Sequence, residues 1–226
     1  MRKLLVATFF WMLAWNSTMQ ASPKRHVIIL GKSVVVSLFP ANSEPTSVTI
    51  KVRPLYMDGR LREFTTGETH DITEQQFAVQ RAYRINDSLP GDDRTLPKWQ
   101  WQRGGWLLVD RVFGRIVPLR LPEFDSFHSE VVWYRDYAAY CGTSENADKL
   151  YAMVAQIGQR KPVLRSPLGA LTGAETEPPC EAPVWQRSPA RVIFTLKDGR
   201  KLTFAVRGRA ADLAAPETPL GEDESN

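Results

Sequence analysis

Most of the features that announce a function are missing from this chain. Its 226 residues include only two cysteines and three histidines. His26, His70 and His128 stand apart, with no pair at the spacing of metal ligands. There is no glycine-rich phosphate loop, no His-Glu helix motif and no nucleophile elbow, so no residue is assigned a catalytic role and no cofactor is implied. Basic residues are not concentrated. The 29 lysines and arginines against 25 acidic residues are scattered along the chain, and phosphate recognition requires a dense patch, which argues against a nucleic-acid partner. Beyond the first residues, no apolar run approaches the roughly 20 residues of a membrane-crossing helix.

The N-terminus carries the clearest signal. Arg2 and Lys3 precede an apolar run over residues 4–15, then a polar stretch ending at Ala21. This is the order of a secretory signal peptide, expected at residues 1–21, and the run is too short to remain as a span. Loss of the leader removes two of the basic residues and leaves the mature chain close to neutral. The expected location is secreted or periplasmic, with no transmembrane span after the leader is removed.

Residues from 26 onward fall into short runs rich in Val, Ile, Phe and Tyr, separated by turn residues, without any long stretch of helical period. Runs at 27–30, 34–39, 48–56, 61–65, 77–85, 98–101, 106–110, 115–121, 131–141 and 150–157 read as strands. Two Asp-Gly pairs, Asp58-Gly59 and Asp198-Gly199, mark hairpins, because a type I′ turn needs positive φ at both central residues. Around the second, Val192, Phe194 and Leu196 return as Leu202, Phe204 and Val206, apolar on one face. Gly104-Gly105 reads as a turn between two strands, and Ala138-Ala139 and residues 210–215 are the places where short helix is tempting. The expected fold is all-β, an antiparallel sandwich or partly open barrel built from hairpins, with little helix. It should form a single β-rich domain over 22–209, interrupted by a long Pro/Gly-rich surface connection at 165–189 and followed by a disordered acidic tail at 210–226.

Three constellations remain. Cys141 and Cys180, an even pair in an exported chain, are most simply a disulfide; a nucleophilic Cys141 would need a base, and no histidine is close in sequence. Glu123, Asp125 and His128 share one loop and supply oxygen and imidazole ligands, the basis of an alternative reading as a secreted hydrolase or metal-dependent enzyme. Trp99 and Trp101, two apart on one strand face among polar neighbours, and Tyr134 and Tyr137 beside Arg135 are of the type that holds sugars and peptides by stacking and fixed hydrogen bonds. Bulky core filling is the competing role for such rings. These features point to a non-catalytic binding or interaction module of the cell envelope or extracellular space, with a glycan or an envelope protein as the partner to expect.

Overall fold

A computed structural model describes residues 25–38, 49–86, 99–126, 129–171 and 180–214. The expected leader at 1–21, His128 and all but residues 210–214 of the expected tail lie outside the described residues. Among those described there are fifteen strands in three antiparallel sheets, no helix, and no closed barrel.

The first sheet contains β1 (Ile28–Leu30), β2 (Val34–Ser37), β3 (Thr49–Met57), β4 (Arg60–Asp71), β5 (Gln76–Asn86), β6 (Trp99–Asp110) and β7 (Arg115–Leu119). β1 and β2 both pair with β3, in effect one edge strand broken at Gly31. Arg53 donates to the carbonyls of Leu30 and Gly31 at 2.9 and 2.8 Å, satisfying the groups the break leaves over. The sheet curls. Its first and last edges approach where the His26 amide donates to the Arg111 carbonyl at 2.8 Å, and β2 reaches across to β6. Asp58 and Gly59 turn the β3–β4 hairpin with φ of +50° and +76°, as a two-residue type I′ turn requires.

Bulges produce the curl. Register shifts fall where β4 sets residues 66–68 opposite Gln80 and where β6 sets Gly104-Gly105 opposite Arg81. Each extra residue bends its strand and switches which side chains face inward. Along β5, Phe77, Ala78 and Val79 are all buried, then Ala82, while Arg81 is exposed, so this strand carries no unbroken alternation of buried and exposed residues. The same bulge corrects the expected turn at Gly104-Gly105. β6 is continuous from Trp99 to Asp110, and the glycines sit where it bends.

The second sheet has the order β11 (Leu164–Ala170), β10 (Lys149–Gln156), β9 (Tyr137–Thr143), β8 (Val132–Tyr134). The single run read at 131–141 is two strands, turned at Arg135-Asp136. Nearly every residue of β9 and β10 is buried, because this sheet is covered on both faces. Ala138-Ala139 accordingly lie in β9 and form no helix. One face packs against the third sheet; on the other, Tyr140, Tyr151 and Met153 meet Leu121, Phe124 and Trp133. A Cβ on Gly142 would stand 2.9 Å from the Glu123 carbonyl, so only glycine admits the 121–126 segment this closely.

The third sheet is β12 (Val184–Arg187), β13 (Ala190–Thr195), β14 (Lys201–Arg207), β15 (Ala210–Leu213), in that order. Val192 pairs with Phe204 and Phe194 with Leu202, and Val192, Phe194, Phe204 and Val206 are buried, as the alternation predicts. Gly199 alone of the Asp198-Gly199 pair takes positive φ, +82°, so this is not the expected type I′ turn: the Leu196 amide donates to the Arg200 carbonyl across a wider loop. Two strands occupy the stretch expected as a connection, β11 and β12, each at a sheet edge. β15 occupies the start of the stretch expected as tail or short helix.

The two four-stranded sheets form a sandwich around Ala152, Val154, Val192, Phe194 and Phe204. The disulfide between Cys141 of β9 and Cys180 crosses this core with its Cα atoms 6.5 Å apart, inside the normal span of such bonds. The curled sheet joins the sandwich through rings. Trp106 and Trp133 meet edge to face at 5.1 Å, His70 stacks on Trp133 at 5.4 Å, and its Nε2 donates to the Arg135 carbonyl at 2.7 Å.

Candidate functional site

The structure divides the four aromatic candidates into two separate groups. Tyr134 and Tyr137 lie where the two sheets of the sandwich meet, against Trp185 of β12, with ring centroids 5.3 and 6.3 Å away. Their polar atoms serve the fold. The Tyr137 hydroxyl donates to the Gly208 carbonyl at 2.9 Å, and Trp185 Nε1 donates to the Val132 carbonyl at 3.0 Å. Burial, reinforced by the neighbouring Asp136 charge, pushes the Tyr137 phenol above its ordinary value. Trp185 was not among the sequence candidates, since a lone tryptophan on a short edge strand carries no pattern.

Trp99 and Trp101 lie at the open end of the curled sheet. Trp99 is 55% exposed, whereas Trp101 leans into the small cluster of Ile50, Val52 and Ala82. The register places Arg84 of β5 opposite Trp101, and its guanidinium stands 5.3 Å from the Trp99 ring and 5.5 Å from the Trp101 ring. Phe64 of β4, opposite Ala82, closes the row with an edge contact to Trp101 at 5.3 Å. Arg84 and Phe64 were not legible as site residues, because cross-strand register decides that they join the tryptophans.

β4 and β5 separate at this row. Phe64–Ala82 is their last pair; beyond it β4 stays with β3 through Leu61–Tyr56, and β5 stays with β6 as far as Asn86–Trp99. The wedge between them is a shallow depression of about 260 Å³, lined by Arg62, Glu63, Phe64, Arg81 and Arg84 among others. Glu63 is held by Arg81 at 2.9 Å. Arg62 and Arg84 have no carboxylate partner among the described residues, so the site combines aromatic faces with two uncommitted guanidiniums. Such a surface stacks on planar or apolar groups and forms charge-assisted hydrogen bonds to carboxylates or phosphates.

Of the loop carboxylates, Glu123 is gripped by Arg165, whose Nη2 donates at 2.7 Å and Nε at 3.0 Å. Asp125 has its backbone bound to Ser129, whose amide donates to the Asp125 carbonyl at 2.8 Å. No group of three metal-ligating side chains occurs among the described residues, and His128 lies outside them. Tyr140, beside this loop, donates its hydroxyl to the Pro122 carbonyl at 2.6 Å, and burial pushes its phenol far above the ordinary range. No helix among the described residues is long and apolar enough to cross a membrane. Neither a scan against protein-family models nor a search of curated proteins finds a match to this chain.

Proposed function

We propose that the protein is an exported, non-catalytic binding module of the cell envelope or extracellular space, and that it holds a glycan or an envelope protein on the row Trp99, Arg84, Trp101 and Phe64. One observation carries this reading: Trp99 leaves more than half of its surface in water while a cation bridges it to Trp101. A ring of this size is normally buried for the stability it confers. The signal-like N-terminus supports export, and the buried disulfide fits an oxidising compartment.

Probing glycan and protein arrays with the mature chain tests the reading. The expected result is capture that Trp99→Ala weakens at least about tenfold, the loss of one well-packed stacking contact. Hits that bind wild type and Trp99→Ala alike would overturn it.

A further inference from the structure

The wedge between β4 and β5 is more than a place where rings are exposed. A strand interior normally has a hydrogen-bonding neighbour on each side. Here β4 over Leu61–Glu63 pairs with β3 on one side, β5 over Tyr83–Ile85 pairs with β6 on one side, and among the described residues the two sides that face each other have no strand partner. These are inner edges within the sheet, next to the bulges at residues 66–68 of β4 and at Gly104-Gly105 of β6. They are not the outer edges that proteins blunt against unwanted pairing.

We infer that this wedge takes an extended acidic peptide of a partner protein, which pairs its backbone with the Tyr83–Ile85 edge of β5 and sets its carboxylates against Arg62 and Arg84. The inference rests on the binding-face reading above and names the ligand class for the same site. Three observations support it. The backbone edge left unpaired among the described residues supplies the repeating donors and acceptors that an added strand uses. Arg62 and Arg84 give the lining two uncommitted cations, while its one carboxylate, Glu63, is neutralised by Arg81. Phe64, 36% exposed, and Trp99 offer apolar contact to the alternate side chains that a paired strand turns toward this face. Arg84 is already oriented by two rings, so little freedom is lost when it meets a carboxylate.

The test uses the mature chain and a short fluorescent peptide alternating glutamate with valine, followed by anisotropy. Two companion peptides carry lysine in place of glutamate or N-methyl groups on the backbone. The glutamate peptide is expected to bind and both companions to bind at least about tenfold more weakly, with Arg62→Gln and Arg84→Gln each losing about tenfold, as expected for one charge-assisted hydrogen bond. Melting curves of the two variants, both at exposed positions, establish that they remain folded. Equal binding of the N-methylated peptide would overturn strand pairing, and equal binding of the lysine peptide would overturn the charge match. Displacement by a free peptide of residues 216–226 at lower concentration than the glutamate peptide would show the chain's own acidic end to be the occupant, and would overturn the partner. No binding of the glutamate peptide, with array hits still lost in Trp99→Ala, would sink this inference and leave the binding face standing. Array hits indifferent to Trp99→Ala would sink the binding face as well.

Discussion

The sandwich and the curled sheet use the same residue types to opposite ends. In the sandwich, Phe194 and Phe204 face β9 and β10 across a buried core, and a disulfide pins the arrangement. In the curled sheet, Phe64 and Trp99 stand at a seam where two strands part. The sandwich shows what this chain does with aromatics that serve stability. Trp99 departs from that pattern in a sheet that has its own buried cluster of Leu55, Met57, Phe77 and Val109 and does not need it as filling.

Substitutions in the two regions should therefore separate stability from binding. Phe204→Ala empties a fully packed position and should lower unfolding free energy by about 3–5 kcal/mol, whereas Thr203→Ala on the opposite face of β14 should change it little. Chemical denaturation of the two variants checks this, and equal losses would mean the register is wrong by one residue. Replacing both Cys141 and Cys180 by Ala releases the third sheet from the second and should cost about 2–4 kcal/mol. The same loss should appear in wild type treated with reductant, and peptide mapping without reductant should recover one crosslinked pair. Gly199→Ala forces a Cβ into a left-handed turn and should cost about 1 kcal/mol, read as a shifted denaturation midpoint.

An acid-side effect belongs to the curled sheet and is smaller. Asp110 accepts from the Gln76 side chain at 2.9 Å and from the amides of Phe113 and Val112 at 2.8 Å, which holds its carboxyl below the usual carboxylate range. A carboxyl lowered on folding adds stability that is present above its unfolded value, about 3.9, and is lost as pH falls through the folded value. Asp110→Asn should therefore narrow the stability gap between neutral and acidic solution, measured as denaturant midpoints at each pH.

How far the sequence revealed each region follows the same division. The β13–β14 hairpin was legible because one face is buried and the other is not, which writes a period of two into Val192, Phe194 and Leu196. β9 and β10 are buried on both faces, so Tyr137–Thr143 carries no alternation, and its alanine pair resembles helix as much as strand. β6 reads as two strands because Gly104-Gly105 looks like a turn; whether a glycine pair turns or bends a chain depends on the neighbouring strand, and here β5 runs straight past with Arg81 opposite both glycines, which form a bulge in β6. The tryptophans of the candidate site were visible from their polar neighbours. Arg84 and Phe64 were not, because they come from other strands and only the register brings them to the rings.

Whether Trp99 is there for stability or for binding is decided by the unfolding free energy of Trp99→Ala, measured by chemical denaturation without any knowledge of the ligand. The predicted loss is below about 1 kcal/mol, the worth of one exposed cation–π contact. A loss of about 3 kcal/mol or more, matching Phe204→Ala, would place the ring in the core and contradict the binding role.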